Sequence, residues 1–152
     1  NLDIISKQAK SKDRVAVVLK DNAYGHGLLE ISNLLKEYGI TKCVVQTDSE
    51  ALKVKDIFDY ILVLADKPKT YNKNIHYTIN SLDSIKTFPK GTKVELKVDS
   101  GMHRNGIDKD ELYKAFELIS KHQLDLKAVF THHRSADELN SQWFWQNRNF
   151  QT

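Results

Sequence analysis

Val15-Ala16-Val17-Val18-Leu19-Lys20-Asp21-Asn22-Ala23-Tyr24-Gly25-His26-Gly27 is the stretch that decides how this chain folds. Five consecutive apolar residues, most of them β-branched, predict a strand buried on both faces, of the kind found in parallel sheets covered by helices. Lys20 closes that strand. An amine at the C-terminal end of a buried strand sits on the face where barrel enzymes gather their chemistry, and lysine is the side chain that forms Schiff bases with aldehydes. Gly25 and Gly27 then free the backbone for a close turn, and the helix expected after them offers unpaired N–H groups to an anion. Tyr24, four residues beyond Lys20, brings a phenol within reach of whatever the lysine holds.

Outward from this stretch, strand and helix patterns follow one another. Leu2, Ile5 and Ala9 have helical spacing before the first strand. After it, Leu28, Ile31, Leu34, Leu35 and Tyr38 make one helical stripe that Gly39 stops. Cys43 to Gln46 is a second strand, and Thr47 and Glu50 have capping-box spacing ahead of a short helix containing Ala51, Leu52 and Val54. Tyr60 to Ala65 and Ile75 to Ile79 are the third and fourth strands. Asn80 or Ser81 caps a helix that must end before Pro89. Lys93 to Val98 is the fifth strand, with Val94, Leu96 and Val98 on one face. Asp108 and Glu111 open a helix whose Leu112, Ala115, Phe116 and Ile119 share a face. Leu124 to Phe130 is the sixth strand, and Trp143, Phe144 and Phe150 are expected to pack a final helix, Ser141 to Phe150, against it. Six strands, each followed by a helix, predict an α/β fold at the spacing of a (β/α)8 barrel with about six βα units. A doubly wound open sheet would give the same alternation.

A chain of 152 residues with 40% hydrophobic residues can bury one core, which predicts a single domain over 1–152. The 23 basic and 20 acidic residues leave only +3, with no basic stripe and no interleaved aromatics, so no nucleic-acid partner is expected. No apolar stretch approaches the roughly 20 residues of a membrane span, and no signal-peptide pattern opens the chain. The single Cys43 lies in an apolar run, which predicts a buried, inert thiol and fits a reducing cytoplasm.

The octapeptide Lys20-Asp21-Asn22-Ala23-Tyr24-Gly25-His26-Gly27 resembles the pyridoxal-phosphate lysine motif of the alanine racemases, which usually reads K-A-N-A-Y-G-H-G. Leu96-Lys97-Val98-Asp99-Ser100-Gly101-Met102-His103-Arg104 and Thr131-His132-His133-Arg134-Ser135-Ala136-Asp137 resemble later motifs of the same family, in the same order. The resemblance covers essentially the whole chain and implies interconversion of L- and D-alanine, supplying D-alanine for a bacterial cell wall. Lys20 is then the Schiff-base lysine and a base for the α-proton, and Tyr24 the partner of the cofactor phosphate. By the same resemblance Lys97 is carbamylated and, as an anion, holds Arg104 on the cofactor's phenolic oxygen, while an unmodified Lys97 would repel it. His132 is the histidine beside the pyridine ring, and Asn22 and Asp137 are second-rank candidates. His103, His133 and Arg134 depart from the usual pattern. The family's last two βα units, its C-terminal β-domain and the opposite-face tyrosine donated by the second subunit of a homodimer have no match here. These 152 residues alone are therefore expected not to racemise at an enzymatic rate.

Two other functions share parts of this pattern. A metal-dependent barrel hydrolase would recruit His26, Lys97, Asp99, His132 and His133, although the first strand lacks a His-x-His pair. A non-catalytic single-domain pyridoxal-phosphate-binding protein would keep the barrel, but its lysine motif lacks Asn-Ala-Tyr-Gly-His-Gly.

Overall fold

Parallel pairing between strands of successive number organises the chain, seen here in a computed structural model that describes residues 1–135, 138 and 140–152. The chain divides into two units, Asn1–Tyr77 and Thr78–Thr152. In the first, α1 (Leu2–Gln8) precedes β1 (Val17–Val18), the one-turn element α2 (Lys20–Tyr24), α3 (Leu28–Glu37), β2 (Lys42–Val45), α4 (Asp48–Val54), β3 (Tyr60–Val63) and the start of β4 (Ile75–Ile79). Val17 lies opposite Cys43, Cys43 opposite Ile61, and Ile61 opposite Ile75, all in parallel register. Cys43, Ile61 and Ile75, together with Val45, Val63, Ala51, Val54 and Phe58, have almost no exposed surface, which is the core of this unit. Burial pushes the Cys43 thiol up to about 12, so it is the inert core residue the apolar run implied.

The first strand is shorter than its five apolar residues suggested, and it is not buried on both faces. Val15 and Leu19 are buried, whereas Ala16 is exposed and Val18 is 40% exposed. The run therefore behaves as an alternating strand with one packed face. The stripe on α3 is likewise narrower than expected: Leu28, Ser32 and Leu35 are buried, but Leu34 is exposed. Gly39, at a φ of +87°, ends this helix. Its N–H donates to Lys36 O (2.9 Å) and that of Ile40 to Leu35 O (2.9 Å), the paired bonds of a Schellman end. β3 passes to β4 through residues 64–74 without a helix. That segment, with Asp66, Lys67, Pro68, Lys69, Asn72, Lys73 and Asn74, has no apolar stripe for a helix to bury.

The second unit contains α5 (Leu82–Ile85), β5 (Lys93–Val98), α6 (Leu112–Lys121), β6 (Asp125–Thr131) and α7 (Ser141–Gln151). Ser81 caps α5 and Ser84 bonds back to it, resolving the choice between Asn80 and Ser81. β5 and β6 pair in parallel from Lys93 opposite Asp125 to Val98 opposite Thr131, with a bulge at Val94/Glu95. Asp108 caps a 3-10 turn, Lys109–Glu111, that delays the start of α6 to Leu112. Ala115 and Ile119 face inward on α6, but Phe116 is 42% exposed. Of the three aromatics expected to pack α7, Trp143 is half-buried and Phe150 is 37% exposed. Phe144 and Trp145 are largely exposed, and the inward residue is Gln146, 3% exposed, in line with half-buried Trp143 and with Asn149 at three-residue steps. Among the described residues no helix is long and apolar enough to cross a membrane.

One buried polar pair sits within the first unit. Tyr77 Oη donates to Asp48 Oδ1 at 2.5 Å, and both residues are almost wholly inaccessible. Burial first, then the Asp48 carboxylate and the charge of Asp66, push the Tyr77 phenol well above its ordinary value. Tyr77→Phe removes the donor and leaves a buried carboxylate unpaired, so stability to urea should fall by about 1–3 kcal/mol. Asp48→Leu added to Tyr77→Phe should recover part of that loss, because neither partner is then left unpaired.

Candidate active site

Lys20 follows Leu19 directly, half-buried, and its ammonium lies 5.9 Å from the centroid of the mostly exposed Tyr24 ring. Between them the backbone does something no pattern announced: Asp21, Asn22, Ala23 and Tyr24 all have φ of 53–57° and wind left-handed. Such a conformation costs L-residues roughly 1–2 kcal/mol each and seldom persists beyond a single residue. Here it is held from several sides. The Asn22 N–H donates to Glu50 Oε1 (3.1 Å), and Asn22 Oδ1 accepts the Leu28 N–H (2.9 Å). Gly25 and Gly27 donate to Asp21 O and Asn22 O, both at 3.1 Å, and Ala23 is buried. Gly25 and Gly27, at φ of +87° and +94°, carry the chain out of the turn into α3. The first N–H of α3 is thus taken by Asn22, where the sequence suggested that it would be free for an anion.

Glu50 is the acceptor that the turn leans on. Its Oε2 also takes the N–H groups of Gln46 (2.9 Å) and Thr47 (3.1 Å). Burial works against its charge, but the hydrogen bonds from Asn22, Gln46 and Thr47 outweigh it and hold the carboxyl below its ordinary value.

In the second unit, the end of β5 folds back on itself. Ile107 donates to Lys97 O (2.8 Å) and Asp99 to Ile107 O (2.9 Å), which closes residues 99–107 into a loop carrying Arg104. Gly106 is required there, since a Cβ would lie 2.8 Å from Asp99 N. Asp99 Oδ1 collects the N–H groups of Gly101 (2.9 Å), Met102 (3.0 Å) and His103 (3.1 Å). Burial works against the Asp99 charge, but these bonds and the nearby His103 more than reverse that and hold the carboxyl below its ordinary value. Lys97, 7% exposed, donates to Asn105 Oδ1. Burial first and the Arg104 charge second lower its pKa, against a smaller opposing pull from Asp99. Arg104 itself is exposed.

The ends of β5 and β6 are tied by Ser100 Oγ and Thr131 Oγ1 at 2.7 Å, and Thr131 Oγ1 donates to Val98 O (2.9 Å). His132 follows, exposed; His133 is half-buried, 6.1 Å from the Trp143 ring. Gln146 Oε1 accepts the Arg134 N–H (2.9 Å) and Asn149 donates to Ser100 O (3.2 Å), so α7 binds the loops after both strands through amides.

Lys20, Tyr24 and Asn22 therefore come together in the first unit, and Lys97 and Arg104 in the second, with His132 at the end of β6. Asp137 lies outside the described residues. Sequence reasoning missed the reach of Glu50 to Asn22, the contact of Asn105 with Lys97, and Gln146. Thr47 and Glu50 were legible as a capping box, but a box says nothing about a third N–H arriving from another loop. Among the described residues no group of three or more His, Cys, Asp or Glu could hold a metal ion, so His26, Asp99, His132 and His133 form no such centre.

Parallel strands joined largely through helices, with a lysine just past the end of the first and a second lysine buried beside an arginine in the fifth, define a protein of the (β/α)-barrel class. The family model described as "Alanine racemase, N-terminal domain" matches residues 1–152, and the chain belongs to that family. An alanine racemase of a Nitratiruptor species is 53% identical over 152 residues, all of this chain and 45% of that protein. One from Campylobacter concisus is 43% identical over 151 residues, 99% of this chain and again 45% of that protein. The chain thus spans a little under half the length of the curated relatives it matches. The crystal structure of alanine racemase from Oenococcus oeni superposes with a TM-score of 0.77 at 32% identity, covering 99% of this chain and 44% of that one. A histidine racemase from Leuconostoc mesenteroides gives 0.80 at 27%, covering 99% and 45%. The six strands are part of a (β/α)8 barrel.

The Asp99 loop sets a pH dependence. Its folded-state pKa is depressed, so its contribution is complete above the unfolded value near 3.8 and is lost as pH falls through the lower folded value. Asp99→Asn should weaken the fold at neutral pH and make the acid limb of a urea-stability profile shallower below about pH 4.

Proposed function

We propose that this chain is the cofactor-binding barrel portion of a pyridoxal-phosphate-dependent racemase that interconverts L- and D-alanine. The observation that carries the proposal is Lys20, at the mouth end of β1 in a backbone turn held from several sides, in a chain matched end to end by the family. The donors present suit pyridoxal 5′-phosphate: a primary amine for its aldehyde, a phenol for its phosphate and a guanidinium for its phenolic oxygen. Lys20, Tyr24, Arg104 and His132 are the residues that would hold it, with Asn22 and Asp137 supporting them. Bound there, it supplies an electron sink for the pair left behind when the α-proton departs.

Lys20 nitrogen is the base that takes or returns that proton on one face. Racemisation needs a base on each face, so the proposal includes a homodimer in which a second copy supplies the other. The depressed pKa of Lys97 favours the neutral amine, the form that reacts with carbon dioxide. Carbamylation would replace a charge that opposes Arg104 with one that accepts its N–H groups. The lone buried Cys43 fits a cytoplasmic enzyme, and D-alanine for peptidoglycan is the proposed product.

The full-length protein should racemise L-alanine in preference to L-histidine and other amino acids, read by chiral chromatography. No turnover of any amino acid would remove the enzymatic reading and leave a cofactor-binding protein. Lys20→Ala should abolish the cofactor adduct that borohydride fixes to the protein, read as a mass increment on the peptide containing residue 20. Lys97→Ala should lower activity, with partial recovery on adding acetate if an anion at that position holds Arg104; an unmodified Lys97 mass without such recovery would argue for an ordinary lysine.

A further inference from the structure

The turn after Lys20 is anchored by a residue 28 positions on from Asn22, in the first turn of α4. Glu50 brings three backbone donors onto two oxygens: Asn22 on Oε1, Gln46 and Thr47 on Oε2. Gln46 and Thr47 lead from β2 into α4, and Asn22 belongs to the left-handed turn, so one carboxylate joins the connections that follow β1 and β2. The anchor is itself fixed. The neighbouring Asp48 N–H donates to Asp66 Oδ2 (3.0 Å), and Asp48 Oδ1 holds the Tyr77 hydroxyl at 2.5 Å. The first turn of α4 is thereby bonded to the chain after β1, after β3 and in β4.

We propose that Glu50 is a positioning residue for Lys20, holding through the Asn22 N–H the left-handed turn that aims the amine. The proposal rests on Lys20 being the reacting lysine. A carboxylate is needed for geometric reasons: glutamine offers one acceptor oxygen and turns an NH2 group toward a backbone N–H, and aspartate is one methylene too short to span both sets of donors. A role confined to capping α4 would act on Gln46 and Thr47 alone and would leave residues 21–24 as they are.

Hydrogen exchange and catalysis separate the two roles in the full-length protein carrying Glu50→Gln, Glu50→Asp or Thr47→Val. Thr47→Val removes the hydroxyl that caps the Glu50 N–H and makes a long 3.4 Å bond to Glu50 Oε2, while the N–H groups of Asn22, Gln46 and Thr47 stay on the carboxylate. In cofactor-free protein, amides of residues 21–27 should exchange about tenfold faster or more in both Glu50 variants and at the parent rate in Thr47→Val. Reductive methylation of Lys20 by formaldehyde with cyanoborohydride as the hydride donor, followed by peptide mass, should change rate in the same two variants only. With alanine, kcat should fall by about ten- to a hundredfold in Glu50→Gln with KM changed less than about threefold, the pattern of a misaimed group. Unchanged exchange at 21–27 in Glu50→Gln overturns the proposal, as does Thr47→Val matching it in exchange and methylation. If the parent protein turns over no amino acid, the racemase reading fails while exchange and methylation still decide whether Glu50 holds Lys20. Should Glu50→Gln fail to fold, Glu50→Asp gives the same readouts with the charge retained.

Discussion

Where a strand ends and the chain turns, backbone N–H groups lose their ladder partners and must find others. In this protein acidic side chains meet that requirement. Glu50 takes the N–H groups of Asn22, Gln46 and Thr47; Asp66 takes those of Asp48 and Lys67; Asp99 takes those of Gly101, Met102 and His103. Each carboxylate fixes a segment just beyond a strand, which is where a barrel enzyme keeps its chemistry. For Glu50 and Asp99 burial raises the cost of the charge, and the converging N–H groups more than offset it. The same bonds that keep these groups ionised keep the loops in shape.

Positive φ at four consecutive residues after Lys20 shows what such anchoring makes possible. An L-residue chain left to itself would relax to a right-handed turn, and the amine would leave the strand end in another direction. Asn22 is suited to the conformation, since its short amide tolerates the left-handed region and bonds locally, here to the Leu28 N–H. Ala23 and Tyr24 are not, and they stay there because Gly25 and Gly27 bond back to the turn and Glu50 holds its centre. Backbone strain stabilised from outside the strained segment is common at functional sites, and here it borders the lysine proposed to react.

Electrostatics at Lys97 follow a different rule. A lysine almost without exposed surface, with an arginine beside it and a neutral asparagine oxygen accepting its ammonium, is poorly accommodated as a cation. The arrangement would suit an anion or a neutral group better, which is why the buried end of β5 matters for whatever Arg104 contacts. The amide groups of α7 add a further restraint, because Gln146 and Asn149 hold the loops after β6 and β5 with directional bonds where apolar packing would leave them free to slide.

Much of this was legible in the chain. Alternation and helical stripes marked the six strands, the capping box ahead of α4 and a cap at Asn80 or Ser81 ahead of α5 were readable from residue type and spacing, and three ordered motifs pointed to Lys20, Tyr24, Lys97, Arg104 and His132. Local chemistry determines such features, because caps and strand ends involve neighbours a few residues apart. The tertiary structure alone decided the rest: the left-handed turn, the contact of Glu50 with a loop 28 residues away, the Asp48–Tyr77 pair, and the inward side of α7. Each of these rests on partners distant in sequence. Which oxygen an N–H meets, and which face of a helix is covered, depends on where other segments pack, and no local pattern contains that information.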